Sequence, residues 1–145
     1  MVPKVVAINI SETKGVPKQA VSEGFFEIKS GLRGDAHAGD WHRQVSLLGM
    51  ESIDRMKKMG LKELQTGAFA ENITTEGITL YELPIGTKLK VGGVLMEVTQ
   101  IGKECHSGCA IRQQTGDCVM PREGIFAIII DEGWIRPGDP VSILS

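Results

Sequence analysis

Glycine and proline interrupt this sequence so often that only short secondary-structure elements can form between them. Eighteen glycines and six prolines are spread over 145 residues, and the stretches between them are largely apolar and β-branched. Short runs of this kind, bounded by turn residues, are typical of β-strands. The predicted strands span residues 4–10, 24–29, 43–48, 78–83, 88–91, 94–101, 125–130 and 140–144.

One segment predicts a clear helix. Met50, Ile53 and Met56 recur at helical spacing, and Gly60 supplies a stop signal. A second short helix is compatible with residues 105–114. About eight short strands with so little helix favour a mainly β fold, a closed or half-closed β-barrel with a few short helices, over a doubly wound sheet. The length suits a single domain over residues 1–145.

The charge balance excludes proteins that depend on broad cationic attraction. Sixteen Lys and Arg residues oppose eighteen Asp and Glu residues, which leaves a net charge of −2. We therefore expect neither nucleic acid nor a membrane surface as a partner. The start lacks a secretory apolar region, no run approaches a membrane span, and three cysteines are an odd number for a disulfide framework. These features predict a cytoplasmic protein with reduced thiols.

All three cysteines lie in one chemically dense stretch, residues 103–122. Cys105 follows a predicted strand directly, where a loop leaves the scaffold and reactive groups commonly lie. Nearby cations lower the pKa of a thiol from about 8.5, and the thiolate is both the nucleophile and the metal ligand. The cations of this stretch are Lys103, His106, Arg112 and Arg122. Free cysteine is also a small buried hydrophobe, an interpretation favoured for Cys118, whereas the surroundings of Cys105 favour reactivity.

The same stretch contains enough ligands for a closed zinc site, which takes four. The candidate ligands are Cys105, His106, Cys109 and Cys118. Their spacing lacks the paired C-x2-C motif of strong zinc predictions, and adjacent ligands point apart in a helix or a strand. Zinc binding is therefore kept as an alternative to a reactive cysteine.

Two further segments combine glycine with polar side chains. Residues 31–43 contain arginine, histidine and three glycines, a mixture that lets backbone and guanidinium groups approach an anion. Asp35, at a Gly-Asp step, is also suited to bonding a backbone amide two residues on. Glu71 and Asn72 interrupt a strand-like run, so they either satisfy backbone at a bulge or face a ligand. The candidate residues of the first segment are Arg33, Asp35, His37 and Arg43.

Taken in order, these motifs resemble those of the MOSC domain, a β-rich module of eukaryotic molybdenum cofactor sulfurases that also occurs as stand-alone bacterial proteins. Any one motif is weak, but the ordered set is specific and spans nearly the whole chain, so we identify the chain as a stand-alone MOSC-like domain. The matching segments are residues 31–37, 43–48, 67–77, 83–86, 98–100, Cys105, 122–126 and 138–139.

The resemblance implies a β-barrel and one reactive cysteine late in the domain, which carries sulfur as a persulfide or binds the molybdenum of the cofactor. Cys105 stands at that position, although Glu104 precedes it where many members have proline. The nearby Cys109 leaves open whether a second thiol shares the role. Pyridoxal phosphate belongs to the separate desulfurase domain, and no lysine here stands in a recognisable context for it.

The leading hypothesis is a sulfur carrier that binds the molybdenum cofactor. A cysteine desulfurase would donate sulfane sulfur to Cys105, and a molybdoenzyme or cofactor-synthesis protein would accept it. One alternative is a small molybdenum-dependent reductase with Cys105 as the metal ligand, and another is the zinc-stabilised binding module. The residues expected to contact the cofactor are Arg33, Asp35, His37, Arg43, Glu71, Asn72, Arg112 and Arg122.

Overall fold

Short strands dominate the computed structural model, which describes residues 2–14, 16–60, 64–102 and 123–144. The strands are β1 Lys4–Ile10, β2 Gln19–Val21, β3 Gly24–Glu27, β4 Gly31–Leu32, β5 Val45–Gly49, β6 Ile73–Glu76, β7 Lys88–Val91, β8 Val94–Ile101, β9 Ile125–Asp131, β10 Gly133–Ile135 and β11 Val141–Leu144. Helix α1 spans Met50–Lys58, and a 3-10 turn spans Leu80–Glu82.

The strands form a large sheet and a small one. The large sheet has the order β11-β7-β8-β9-β5-β6-β1-β2, and the small sheet has the order β10-β3-β4. Only β5 and β6 pair in parallel among these neighbours in the described residues. A parallel pair needs a crossover connection, and α1 lies in the connection between β5 and β6.

The large sheet curves until β1 meets the segment that leads into β11. Lys4 and Pro140 form an isolated bridge, and the Val5 amide donates to the Asp139 carbonyl over 2.8 Å. The mainly β prediction is confirmed. The described residues join β1 to this segment by a bridge and not by a ladder, and no sheet among them closes on itself. The closed or half-closed barrel therefore stays a prediction.

The core lies between the curved sheet and the small sheet. β8 alternates as its sequence indicates, with Val94, Met96 and Val98 all fully buried. The same cluster takes in Phe26 and Leu32 of the small sheet. A second cluster forms under α1, whose buried Ile53 and Met56 pack with Leu48, Phe69 and Phe126. Both clusters share the strands that carry the candidate site.

Several local predictions are confirmed with small changes of boundary. β1, β7 and β8 begin and end where the sequence places them, and α1 stops at Lys58, before Gly60. The Gly92-Gly93 hairpin is also present, with Val91 opposite Val94 and a positive φ of 58° at Gly92. Such a φ is the reason that glycine is favoured in this turn.

The predicted strand at residues 78–83 is wrong. Gly77, with a φ of 83°, turns the chain out of β6, and the segment coils into the 3-10 turn that buries Leu80. A short apolar run does not reveal whether its residues alternate on a sheet or anchor a turn. The short strands β2, β4 and β10 went unpredicted. The helix expected at residues 105–114 lies outside the described residues.

Within the described ranges, no helix is both long and apolar enough to cross a membrane.

Candidate functional site

A small cavity of about 70 Å³ lies where the loop before β5, the loop before β6 and the start of β9 meet. Binding sites for whole organic ligands usually measure roughly 300–1,000 Å³. The described walls therefore suit one small chemical group and not a complete cofactor. We call this the His37 cavity, and its lining residues are His37, Trp41, Arg43, Ser46, Ala70, Asn72 and Phe126.

Arg43 is the cation of this cavity, and its side chain is anchored at one end only. Its Nε donates to Oε1 of Gln100 over 3.1 Å, and its guanidinium carbon lies 5.2 Å from the Phe126 ring centre and 5.9 Å from that of Trp41. Within the described ranges, neither terminal nitrogen of Arg43 has a hydrogen-bond partner. A guanidinium fork held in this way is suited to bind an oxyanion through two parallel hydrogen bonds.

Behind the cavity lies an ion pair between Lys18 and Asp35 whose side chains are both fully buried. The Lys18 ammonium lies 2.7 Å from Oδ1 of Asp35, and the Ser11 amide donates to the same oxygen over 3.1 Å. Burial by itself raises the pKa of Asp35, but the hydrogen bonds from Lys18 and Ser11 outweigh it and hold the pKa below its ordinary value. Asp35 is therefore a buried carboxylate that ties two loops together.

His37 joins this ion pair to the cavity. Its backbone amide donates to Oδ2 of Asp35 over 3.1 Å, the bond to an amide two residues on that the Gly-Asp step suggested. Its ring nitrogen Nδ1 lies 3.1 Å from the Lys18 ammonium, and its side chain is about one-third exposed (32%). The imidazole is therefore oriented from below by buried charges while it lines the cavity.

The sequence left two roles open for Glu71 and Asn72. Glu71 supports the backbone and Asn72 lines the cavity. The fully buried Glu71 carboxylate accepts hydrogen bonds from the Gly67 and Phe69 amides and the Thr74 hydroxyl, so it supports backbone and does not line the cavity. Burial raises its pKa, because these neutral donors only partly replace lost water. Asn72 lines the cavity, and its Oδ1 accepts from the Ser46 amide and hydroxyl.

The structure does not bring every predicted site residue to the His37 cavity. Arg33 has a half-exposed side chain paired with Glu27 at 2.5 Å and stacked 4.5 Å above the Phe25 ring, and it does not line the cavity. The remaining predicted contacts and ligands lie outside the described residues. They are Cys105, His106, Cys109, Arg112, Cys118 and Arg122.

The lining of the cavity and the contacts that support it include residues that pattern alone did not single out. Lys18, Trp41, Ser46, Gln100 and Phe126 were not predicted as site residues. Three of them stand inside motifs that carried the family resemblance, so a closer use of those motifs would have found Ser46, Gln100 and Phe126. Lys18 had no such signal, because nothing in a polar loop marks one lysine as buried.

A second, larger cavity of about 170 Å³ lies beside α1, and we call it the α1 cavity. Its arginine, Arg55, is half exposed and pairs with Glu123, which also accepts the Ser52 hydroxyl over 2.6 Å. Glu51 accepts the Gly77 amide over 2.8 Å. The polar groups of this cavity thus satisfy one another, and size alone does not make it the better candidate.

Metal-binding geometry is absent from the part of the chain that the structure describes. No group of three or more His, Cys, Asp and Glu side chains comes together there in a way that would hold a metal ion. The predicted zinc ligands all lie in residues 103–122, which the structure does not describe, so the zinc alternative stays a prediction.

Fold and cavity together define a small, mainly β domain with an arginine and a histidine held over a buried ion pair. Residues 34–142 match the MOSC domain family, so the chain belongs to that family and the predicted resemblance is confirmed. MOSC domains also form the C-terminal domains of molybdenum cofactor sulfurases, and the family is associated with that cofactor. Among curated proteins, none matches this sequence.

Solved structures share this fold at low sequence identity. The YuaD protein from Bacillus subtilis is 18% identical with a TM-score of 0.80, and the match covers 99% of this chain and 96% of that one. YiiM from Geobacillus stearothermophilus is 22% identical with a TM-score of 0.76, covering 99% and 75%. YiiM from Escherichia coli is 18% identical with a TM-score of 0.72, covering 100% and 70%. At these identities the similarity establishes the fold alone.

Proposed function

We propose that this protein is a cytoplasmic sulfur carrier that accepts sulfane sulfur on Cys105 and docks an anionic part of the molybdenum cofactor in the His37 cavity. The observation that carries the proposal is Arg43, whose terminal nitrogens lack partners among the described residues while its Nε is fixed by Gln100. A fixed cation with free donors favours an anionic group over a neutral one.

The chain path supports a meeting of thiol and cavity. The Gly102 amide donates to the Gly124 carbonyl over 2.6 Å, and Gln100 pairs with Phe126, which lines the cavity. Cys105 stands three positions after Gly102 in the sequence, and three residues span at most about 11 Å. This covalent limit supports the proposal, because it allows Cys105 to reach the strands that carry Phe126 and Gln100.

Sulfur transfer in this proposal requires no external oxidant. The Cys105 thiolate attacks the outer sulfur of a persulfide on a cysteine desulfurase, a new S–S bond forms, and the old one breaks. The donor leaves as a thiolate, and Cys105 becomes a persulfide, so thiolates and sulfur atoms balance on both sides. A molybdoenzyme or cofactor-synthesis protein then receives the sulfur.

The described residues fit the cofactor's anionic end and not its bulk. Arg43 and His37 would hold a phosphate-sized oxyanion, which matches the volume of about 70 Å³. When bound, the cofactor supplies a molybdenum atom with affinity for soft sulfur ligands. Arg33 is excluded from this contact by its pairing with Glu27, and Arg112 and Arg122 remain proposed contacts.

The test loads the full chain with a cysteine desulfurase and sulfur-labelled cysteine, followed by mass analysis of the tryptic peptide that contains Cys105. We expect a gain of one sulfur atom on that peptide, and none in Cys105→Ser. The matched controls Cys109→Ser and Cys118→Ser should keep the gain on the Cys105 peptide. No gain in the wild type, or equal gain in Cys105→Ser, would exclude the carrier role.

Metal analysis of protein purified from a host that makes the cofactor separates the two alternatives. Stoichiometric molybdenum that depends on Cys105 would favour the reductase over the carrier. About one zinc per chain, together with unfolding by a chelator, would favour the zinc-stabilised module, because structural zinc contributes directly to folding.

A further inference from the structure

An irregularity in strand β8 determines which way the Gln100 side chain faces. The register with β9 pairs Val98 with Ala127 and Gln100 with Phe126, so Thr99 is an extra residue in β8. Residues directly opposite each other in an antiparallel pair project from the same face of a sheet. Val98 and Ala127 belong to the main core, whereas Phe126 packs under α1 and lines the His37 cavity. The β-bulge therefore turns Gln100 away from the core face, where strict alternation would place it, to the face that carries the cavity.

From this position Gln100 uses both ends of its side-chain amide. Its Oε1 accepts the Nε–H of Arg43 over 3.1 Å and lies 3.0 Å from Nε2 of His42. Its Nε2 donates to the Gly102 carbonyl over 2.8 Å. Arginine only donates and a carbonyl oxygen only accepts, so a flipped amide would lose the contacts with both Arg43 and Gly102. The amide therefore has one favourable orientation, and that orientation holds Arg43 through Nε.

Occupation of Nε determines how Arg43 presents itself to a ligand. A guanidinium binds an oxyanion through two parallel hydrogen bonds, either along the edge that includes Nε or at the end formed by its two terminal nitrogens. Since Gln100 occupies the Nε–H, the terminal end is left, and it has no partner among the described residues. The Phe126 ring, opposite Gln100 in the sheet, lies 5.2 Å from the guanidinium carbon. Paired residues of β8 and β9 thus hold the same cation.

We propose that Gln100 is a positioning residue for the His37 cavity, which fixes Arg43 so that an oxyanion binds end-on through the two terminal nitrogens. Binding of a cofactor anion at this place rests on the proposed function, whereas the fixed direction of Arg43 does not. A chain that never accepts sulfur would still hold the guanidinium in this way. Conversely, an Arg43 side chain that Gln100 does not hold would leave sulfur loading of Cys105 intact, so the two proposals fail separately.

The first test is ¹H–¹⁵N correlation spectroscopy of the arginine side chains in the full chain, with the Nε–H signal of Arg43 assigned by its loss in Arg43→Met. Gln100→Met removes both ends of the amide and keeps a side chain of similar length. Gln100→Glu keeps an acceptor for Nε, loses the donor to Gly102 and adds a negative charge. Gln19→Met is the matched control, because Gln19 is an exposed residue of β2 whose side chain makes no hydrogen bond within the described ranges.

In the wild type and in Gln19→Met we expect an Arg43 Nε–H that exchanges slowly with water. In Gln100→Met we expect the same signal to exchange rapidly, because its acceptor is gone. Exchange in the wild type as fast as in free arginine would overturn the proposal, and this result needs no variant. Protection that persists in a folded Gln100→Met variant would overturn it as well.

The second test is calorimetric titration with inorganic phosphate. Ordering one long side chain corresponds to about 2- to 10-fold in affinity, so we expect Gln100→Met to weaken phosphate binding by that factor. Gln100→Glu should weaken it at least as much while the Nε–H stays protected, because the new carboxylate offsets the charge of the guanidinium. A merely structural role for Gln100 does not predict this combination.

Phosphate binding equal to that of the wild type in both Gln100 variants would overturn the end-on arrangement. An absence of phosphate binding in the wild type would overturn the anion site of the proposed function and end-on binding with it. In that case a protected Nε–H would still support the positioning of Arg43 by Gln100.

Discussion

The His37 cavity and the α1 cavity each contain an arginine, and the two arginines are held in opposite ways. In the α1 cavity, Arg55 pairs with Glu123, which also accepts the Ser52 hydroxyl. In the His37 cavity, Arg43 is held through Nε and by two aromatic rings, and its terminal nitrogens have no partner in the described ranges. A self-satisfied cluster gains little from a ligand, whereas an anchored cation without an anion gains a strong hydrogen bond.

The ion pairs at the two cavities differ as well. The α1 cavity has an ion pair whose arginine is half exposed, so its contribution to folding is small. Beneath the His37 cavity, the ion pair of Lys18 and Asp35 is fully buried and bonded to backbone. Buried charges require every partner in place. The comparison teaches that the polar groups best satisfied by the protein support the site, while the least satisfied one of those compared, Arg43, faces the His37 cavity.

The largest expected effect comes from removing the buried lysine. Lys18→Met leaves the Asp35 carboxylate buried without its cation, and we expect the free energy of unfolding to fall by about 3–5 kcal/mol. Adding Asp35→Asn should recover part of this loss, since no uncompensated charge remains. Denaturant unfolding measures both variants. A loss below about 1 kcal/mol in Lys18→Met would mean that this ion pair is no more important than an exposed one.

The next effect concerns the close backbone approach between Gly67 and Lys18. Gly67 has a φ of 85°, and a Cβ there would lie 2.2 Å from the Lys18 carbonyl oxygen. The matched control is Gly86, with a φ of 95° and no atom within 4 Å of its Cβ position. We expect Gly86→Ala to cost about 1–2 kcal/mol from backbone strain alone, and Gly67→Ala to cost clearly more. Equal losses in thermal or denaturant unfolding would show that the close approach has no energetic weight.

Ligand binding should separate the two arginines. We expect Arg43→Met to weaken the binding of inorganic phosphate at least about 10-fold, since a hydrogen bond to a charged group contributes about 1.5–3 kcal/mol. Arg55→Met should leave phosphate binding unchanged, and it should reduce stability by no more than about 1 kcal/mol. Calorimetric titration of both variants checks this expectation. A larger loss in Arg55→Met than in Arg43→Met would reverse the comparison.

The smallest effect is a contrast in pH dependence between two buried carboxylates. The lowered pKa of Asp35 means that its contribution is present above its unfolded pKa and is lost as the pH falls through the folded value. The raised pKa of Glu71 has the opposite sign, so stability is lost as the pH rises from the unfolded to the folded value.

Unfolding measured over a pH series in Asp35→Asn and Glu71→Gln isolates these contributions. With rising pH, Asp35→Asn should lose stability relative to the wild type, and Glu71→Gln should gain it. Parallel curves for the wild type and both variants would contradict the two opposite shifts.

Local signals predicted much of the fold because they depend on neighbours in the sequence. The alternation in β8, the glycine pair at the hairpin and the spacing in α1 each specify a structure within a few residues. The strand prediction at residues 78–83 failed because the conformation of this segment depends on the core contacts of Leu80. Those core residues lie far away in the sequence. β2, β4 and β10 have only two or three residues each, so pairing and not pattern defines them.

The candidate site was only partly predictable for the same reason. Glycine, arginine and histidine in residues 31–43 indicated an anion site, and His37 and Arg43 do line one cavity. The sequence did not distinguish them from Arg33, because an ion pair with Glu27 depends on how β3 and β4 pair. The sequence did not indicate that Lys18 belongs to the site, since its burial results from contacts with Asp35 and His37 across the fold.

By itself, the sequence determined the mainly β class, most strand positions and the family, because spacing and turn residues act over short distances. Only the tertiary structure decided which cations are satisfied and which are left facing a cavity. Charge satisfaction depends on distances between residues that are remote in the chain, such as Arg43 and Gln100, and those distances exist only after the sheets have formed.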